Sequence, residues 1–164
     1  MAAPGPSRQA DDTRADWETP PELFNPLYQE FQFTVDGAAH EGNFQVASWF
    51  GPGGAVEDAF DAYPFSEAIW CNPTYGRGLK NWIDLFIRWN EAGNTVVACL
   101  PDGTDTEWFK KAYTTCSEVR ILSGRVPFIG TTSGNTGGTI IAIWRPGPKP
   151  PMPFMWLWDW RKSE

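Results

Sequence analysis

Ile69-Trp70-Cys71-Asn72-Pro73-Thr74-Tyr75 is the segment from which the architecture of this 164-residue chain is most readily inferred. An apolar run ends there in an amide, a proline and an aromatic ring, which predicts a buried strand over residues 68–71 with a polar loop at its tip. Such a loop suits a planar amino group. An amide oxygen and a fixed backbone carbonyl accept its N–H groups, and an aromatic ring stacks on the attached plane.

Helical and strand patterns alternate beyond this segment. The predicted elements are a helix over residues 79–90, a strand over 95–100, a helix from 104 to 113 and a strand over 118–122. This alternation predicts an α/β fold with a mostly parallel sheet. Two more predicted strands, 125–129 and 139–144, are too close together for a helical crossover. We therefore expect them to form a terminal antiparallel hairpin.

A helix start is predicted upstream at Thr19-Pro20-Pro21-Glu22, with Thr19 as N-cap and Pro20 in the first helical position. A short strand over residues 33–36 follows and ends at Asp36, and residues 46–50 are a candidate second strand. The small residues 37–39 would let a ligand approach the backbone closely. Asp36 is then either a ligand-site residue or a turn-forming side chain.

The chain divides into three parts by composition. Residues 1–15 lack hydrophobic rhythm and are predicted to be disordered. Residues 16–145 hold the alternating elements and form one predicted domain. Residues 146–164 are a tail rich in proline and tryptophan. We expect this tail to pack back on the domain, because so apolar a surface would otherwise be exposed.

Charge is distributed unevenly along the chain, whose net charge is −7. Residues 1–67 hold 12 acidic and 2 basic side chains, whereas residues 68–164 hold 8 acidic and 11 basic ones. The basic side chains after Tyr75 either solvate helix faces or form a rim that meets phosphates. They include Arg77, Lys80, Arg88, Lys110, Lys111, Arg120 and Arg125.

Other classes of protein are disfavoured. No apolar run of about 20 residues predicts a membrane span, and the polar start of the chain does not resemble a signal peptide, so we expect a cytoplasmic protein without membrane contact. The three cysteines show no metal-binding spacing, and His40 is the only histidine. We therefore expect no metal site.

Several ordered blocks resemble the phage-type DNA N6-adenine methyltransferase (Dam-like) family. Residues 72–75 resemble the Asn-Pro-Pro-Tyr signature of amino-methyltransferases, and residues 16–24 resemble the opening segment Asp-x-Trp-x-Thr-Pro-x-x-Leu-Phe. Residues 33–39 resemble the first cofactor strand and its turn, and residues 100–109 and 124–128 also look like family blocks. The resemblance covers residues 16–144, and the ordered set is more specific than any single block.

The resemblance implies a Rossmann-like S-adenosylmethionine-dependent methyltransferase fold and methylation of the N6 amino group of adenine in DNA. It implies S-adenosylmethionine as cofactor and double-stranded DNA with the target base flipped out as partner. A phage or prophage setting, and so the host cytoplasm, is also implied. The residues implied for cofactor binding are Trp17, Thr19, Pro20, Asp36, Ala38, Asn43, Asp58 and Asn72.

Asn72, Pro73 and Tyr75 are the expected catalytic residues. The Asn72 side-chain oxygen and the Pro73 carbonyl would accept the two N–H bonds of the amino group, which stabilises the charge that develops on nitrogen. Tyr75 would stack on the base. If the basic side chains form a rim, Arg77, Lys80 and Arg125 are the predicted DNA contacts.

Thr74 departs from the family pattern, which has a second proline there. Proline fixes φ and lacks an N–H, whereas threonine does neither, so the loop is expected to be looser. Two alternatives therefore stay open: methylation of another planar nitrogen, in a protein glutamine or an RNA base, and a catalytically inactive relative. The short chain also predicts a short or relaxed target sequence, or specificity from loop 51–66 or 130–138.

Overall fold

A computed structural model of the protein describes residues 17–130 and 137–162. These residues contain a sheet whose strands are Val35–Asp36 (β1), Ala68–Cys71 (β2), Thr95–Pro101 (β3), Glu118–Leu122 (β4), Thr139–Trp144 (β5) and Phe154–Trp158 (β6). The strand order is β1-β2-β3-β5-β4-β6. Neighbouring strands are parallel except at β5, which is antiparallel to both β3 and β4. The carboxyl ends of all strands but β5 therefore share one edge of the sheet.

Helices cover both faces of this sheet. They are Pro21–Phe31 (α1), Leu79–Glu91 (α2) and Glu107–Thr115 (α3). Leu23 and Leu27 of α1 pack in one buried cluster with Trp70 of β2. Ile83 and Phe86 of α2 lie in the cluster on the other face. The alternation of side chains along the strands thus supplies two apolar layers, as in other α/β proteins.

Two of the three predicted helix starts are displaced, and the start predicted at residue 79 is confirmed. The N-cap of α1 is Pro20 and makes no side-chain cap, so Thr19 is not the cap and Pro21 takes the first helical position. The N-cap of α3 is Thr106, whose hydroxyl accepts a hydrogen bond from the Phe109 N–H at 3.2 Å. The fixed φ of proline replaces a side-chain cap at α1, and this leaves the Thr19 hydroxyl available for other contacts.

The predicted terminal hairpin is wrong. Residues 125–129 form no strand, and Ile129 instead makes an isolated antiparallel bridge with Glu18. The strand predicted over 139–144 does form, but it lies between β3 and β4 and makes its hydrogen bonds to them. Residues 46–50 likewise form only isolated bridges, at Trp49 and Phe50. The sequence pattern therefore predicted the position of β5 correctly but not the strands with which β5 pairs.

The C-terminal tail packs back on the sheet, as predicted. Its segment β6 pairs in parallel with β4, from Glu118 opposite Phe154 to Leu122 opposite Trp158. The indole N–H of Trp160 donates to the Ser123 carbonyl at 3.1 Å, and Trp160 is buried. The sheet therefore continues beyond residue 145.

Arg120 is buried rather than part of a basic rim. Its guanidinium donates to both carboxylate oxygens of Glu30 in α1, at 2.6 and 2.7 Å, and to Glu118 at 2.6 Å. Trp156 and Arg145 also donate to Glu118, at 2.8 and 2.9 Å. Burial raises the pKa of Glu118, but these hydrogen bonds outweigh burial and lower the pKa. The network joins α1, β4 and β6.

All three cysteines are buried free thiols. Burial raises the pKa of Cys99 and of Cys116 to about 12, and it also raises the pKa of Cys71 well above its ordinary value. These thiols therefore pack as small apolar side chains.

Across residues 17–130 and 137–162, no helix is long and apolar enough to span a membrane.

Candidate functional site

Two neighbouring parallel strands place the predicted site residues at the same edge of the sheet. β1 ends at Asp36 and β2 ends at Cys71, and the N–H of Gly37 donates to the Trp70 carbonyl at 2.7 Å. A Cβ at Gly37 would lie 2.9 Å from Cγ2 of Ile69, so only glycine allows this close approach. The turns after both strands thus lie close together.

The Asp36 carboxylate shapes the turn after β1. One oxygen accepts from the Ala38 N–H at 3.2 Å and the other from the Gln45 N–H at 2.9 Å. Burial raises the pKa of Asp36 to about 6, although both hydrogen bonds act in the opposite direction. Asp36 therefore lies beneath the site and fixes the segment that runs from Ala38 to Gln45.

Asn43 and His40 shape the same segment. The side-chain oxygen of Asn43 accepts from the His40 N–H at 2.8 Å, and the Asn43 N–H donates to the His40 carbonyl at 3.1 Å. The Gly42 N–H donates to Nδ1 of His40 at 3.0 Å. These local bonds close a tight turn, and Ala38, Ala39, His40 and Asn43 of this segment line the space above the strand ends.

The Asn72 side chain is held at its amino end. Its Nδ2 group donates to the Thr19 hydroxyl at 3.3 Å and lies 3.5 Å from the Trp17 carbonyl. Within the described part of the chain, no hydrogen bond to the Asn72 side-chain oxygen is present, and Asn72 is half-buried at the wall of a cavity. An amide fixed in this way presents an acceptor.

Tyr75 is anchored at its hydroxyl. The hydroxyl donates to the Cys99 carbonyl of β3 at 3.3 Å. Burial raises the pKa of Tyr75, so the phenol stays protonated at neutral pH. Pro73 is buried and Thr74 is exposed, and the ring of Tyr75 is half-buried. The loop after β2 is therefore tied to β3 through Tyr75 and to the segment before α1 through Asn72.

A cavity of about 580 Å³ opens above these strand ends. Its wall includes four residues predicted for cofactor binding, which are Ala38, Asn43, Asp58 and Asn72. Asp58 accepts from the Phe60 N–H at 2.9 Å and so begins the short 3₁₀ helix Ala59–Asp61. The volume is within the range of small-molecule and cofactor sites.

Aromatic and acidic groups complete the cavity wall. Phe50, Phe60 and Trp82 line it, and the rings of Phe60 and Trp82 are 4.9 Å apart at their centroids. Glu57 contributes a second carboxylate beside Asp58. These aromatic residues were not predicted for the site. Trp82 lies on the apolar stripe of α2, and the pattern of such a stripe does not distinguish a residue that lines a cavity from one in the core.

Trp17, Thr19 and Pro20 do not line the cavity. Trp17 stacks on Phe128, with ring centroids 5.8 Å apart. Glu18 and Ile129 exchange two backbone hydrogen bonds of 3.0 Å. The segment that contains Trp17 and Thr19 therefore reaches the site through its contacts with Asn72.

The three predicted DNA contacts are exposed. Arg77 lies in the turn between Tyr75 and α2, and Lys80 is the second residue of α2. Arg125 follows β4, and its backbone carbonyl accepts from Arg161 at 2.8 Å. All three lie on segments that leave the edge of the sheet at which Asn72 is placed.

No group of metal-ligating side chains occurs among the described residues.

The sheet topology defines an α/β protein with a cavity beyond the carboxyl ends of its parallel strands, where ligands bind in open α/β sheets. The chain belongs to the DNA N-6-adenine-methyltransferase (Dam) family, whose model matches residues 6–157. Membership in this family implies DNA N6-adenine methyltransferase activity. None of the curated proteins matches the chain.

Proposed function

We propose that the protein transfers the methyl group of S-adenosylmethionine to the N6 amino group of adenine in DNA, within a Rossmann-like methyltransferase fold. The observation that carries this proposal is the position of Asn72. Its amino end is bonded to the segment before α1, and it lines the cavity together with Ala38 and Asp58. An amide oxygen thus meets a cofactor-sized space at the carboxyl ends of the strands.

The residues around the cavity fit S-adenosylmethionine by their chemistry. Its sulfonium and ammonium groups are cationic, and Glu57 and Asp58 supply carboxylates in the wall. Phe60 and Trp82 offer flat apolar surface for a purine. The small side chains of Ala38 and Ala39 leave the backbone of the turn accessible. When bound, this cofactor supplies an electrophilic methyl group.

Asn72 and Pro73 act on the acceptor nitrogen. The lone pair of an exocyclic adenine amine is delocalised into the ring, which makes the amine a poor nucleophile. The Asn72 side-chain oxygen and the Pro73 carbonyl accept its two N–H bonds and favour tetrahedral nitrogen. They also stabilise the positive charge that develops as the methyl group is transferred. An amide cannot take up the proton, which leaves to water.

Tyr75 and the basic residues hold the DNA. A base within a duplex is out of reach of Asn72, so the adenine is flipped out and stacks on the ring of Tyr75. Arg77, Lys80 and Arg125 contact phosphates around the flipped nucleotide. The target sequence is short or relaxed, or specificity comes from loop 51–66 or loop 130–138, of which residues 131–136 lie outside the described residues. Residues 57–60 of the loop 51–66 line the cavity, whereas residues 63–65 lie beside Thr34 and Glu67, ahead of β1 and β2.

A methylation assay tests the proposal. The purified protein is incubated with S-adenosylmethionine carrying a labelled methyl group and with duplex DNA of random sequence, and nucleosides are then analysed. We expect labelled N6-methyl-2′-deoxyadenosine from the DNA. Parallel incubations replace the DNA with RNA or with a protein acceptor. Label found only in RNA or protein, or no label over a range of salt and DNA concentrations, would contradict the proposal.

Asn72→Ala is the matching variant, and Asn81→Ala is its control because Asn81 is exposed on α2. We expect Asn72→Ala to lower kcat by about 100- to 1,000-fold, the usual effect of removing one preorganised group at a reacting centre. Calorimetry with S-adenosylhomocysteine is expected to give similar affinity for both variants. Full activity of Asn72→Ala would remove the role assigned to this amide.

A further inference from the structure

The Thr19 hydroxyl has a contact that neither helix capping nor the cavity explains. Thr19 is 2 % exposed, and α1 begins without using its side chain as a cap. Instead its oxygen accepts from Nδ2 of Asn72 at 3.3 Å. A buried hydroxyl is thus directed at the amino end of the side chain to which the proposed chemistry assigns an acceptor role.

We propose that Thr19 is a positioning residue for methyl transfer. It binds the NH2 end of Asn72 and thereby keeps the carboxamide oxygen, rather than the nitrogen, directed at the substrate amine. The proposal rests on the proposed function of Asn72. It differs from the cofactor contact that the family resemblance implies for Thr19, because it acts on the orientation of another side chain.

The orientation matters because the two ends of an amide are similar in shape and opposite in hydrogen bonding. A reversed Asn72 would present N–H donors to the N–H groups of the substrate. The Trp17 carbonyl, at 3.5 Å from Nδ2, is at the limit of hydrogen bonding and fixes the amide weakly by itself. The Trp17 carbonyl can only accept, so it selects the NH2 end of the amide, and the nearer Thr19 hydroxyl supplies the second contact that holds that end in place.

Thr19 itself is held in place from two directions. Glu18, the preceding residue, exchanges two backbone hydrogen bonds with Ile129. On the other side, the Gln45 side chain approaches the Thr19 carbonyl at 3.4 Å, and the Gln45 N–H donates to Asp36. The hydroxyl is consequently presented by a fixed backbone, which is what a positioning residue requires.

Thr19→Val and Thr19→Ser form a matched pair of variants. Valine keeps the shape and removes the acceptor, whereas serine keeps the hydroxyl and removes a methyl group. We expect Thr19→Val to lower kcat by about 10- to 100-fold because the amide loses its orientation. We expect Thr19→Ser to restore most of the rate. The affinity for S-adenosylhomocysteine and the KM for DNA are expected to stay as in the wild type.

A measurement without turnover complements the kinetics. The side-chain ¹⁵NH2 signals of Asn72, assigned by their absence from Asn72→Ala, report its hydrogen bonds. We expect these signals to be slow to exchange with water in the wild type and in Thr19→Ser, and fast in Thr19→Val. Unfolding curves of the three proteins establish that each is folded under these conditions.

The outcomes separate this inference from the proposed function. If Asn72→Ala loses activity while Thr19→Val keeps both its rate and its slow-exchanging signals, the positioning role is wrong and the proposed function stands. If Thr19→Val chiefly weakens binding of S-adenosylhomocysteine, Thr19 is a cofactor contact and the inference is overturned. If the wild type methylates no DNA, the proposed function fails, and exchange at Asn72 still decides whether Thr19 holds the amide.

Discussion

Tyr75 is held by its hydroxyl at β3 while its ring belongs to the loop that carries Asn72. Tyr75→Phe removes one buried hydrogen bond, worth about 1 kcal/mol of unfolding free energy, and keeps the ring. We expect methylation within a few-fold of wild type for this variant. Tyr75→Ala removes the stacking surface and is expected to lower kcat/KM by about 10- to 100-fold. Equal losses in the two variants would show that the hydroxyl, and not stacking, is what matters.

Asp36 predicts a pH dependence of stability. Its pKa is about 6 in the folded protein and 3.8 in an unfolded chain. A raised carboxyl pKa means that the protonated form favours folding. This contribution is complete below pH 3.8 and is lost as the pH rises through about 6.

The shift corresponds to a contribution on the order of 3 kcal/mol. Urea unfolding of wild type and Asp36→Asn between pH 4 and 7 measures it as the difference between the two curves. We expect the unfolding free energy of Asp36→Asn to rise relative to that of the wild type as the pH increases. A difference that is constant across this range would show that Asp36 keeps an ordinary pKa.

The ion-pair network of Glu30, Arg120 and Glu118 connects α1 with β4 and is the clearest electrostatic contribution to the fold. Arg120→Met keeps a long side chain but leaves Glu118 buried with fewer donors. We expect a loss of about 3 kcal/mol in unfolding free energy, as is typical when one partner of a buried pair is removed. Lys111→Met is the control, because its pair with Asp84 is half-exposed. A change below about 0.5 kcal/mol is expected there.

Local pattern predicted the elements whose burial is periodic. The helix predicted over 79–90 is α2, and the strands predicted over 95–100 and 118–122 are β3 and β4. Pairing was not accessible in the same way, because antiparallel insertion of β5 between β3 and β4 depends on contacts across the whole sheet. Residues 125–129 alternate like a strand, yet they pack Val126 and Phe128 against the α1 side without a neighbouring strand.

The C-terminal tail is an integral part of the molecule. Trp160 lies in the same buried cluster as Leu23 and Leu27 of α1. Trp160→Ala is expected to lower the unfolding free energy by about 3–5 kcal/mol through the cavity and the lost hydrogen bond. Leu157→Ala is the control, since Leu157 is 65 % exposed in the same segment. Similar stability of the two variants, measured by thermal or urea unfolding, would contradict this account of the tail.

Part of the candidate site is formed by contacts between residues far apart in the sequence. The loop after β2 could be singled out because an amide, a proline and an aromatic ring follow a buried strand. Four residues predicted for the cofactor line one cavity, but Trp17 and Thr19 meet Asn72 instead. No local pattern reports that a residue before the first helix contacts one that lies 53 positions later. The aromatic wall of Phe60 and Trp82 depends on the fold in the same way.

The burial of all three thiols has a practical consequence. Because only an exposed thiolate reacts with maleimides, we expect the native protein not to react with such reagents. A single engineered cysteine on the surface could then carry a fluorophore without removal of Cys71, Cys99 or Cys116. The rate at which the native thiols are labelled would then measure how often each apolar layer beside the sheet opens to solvent.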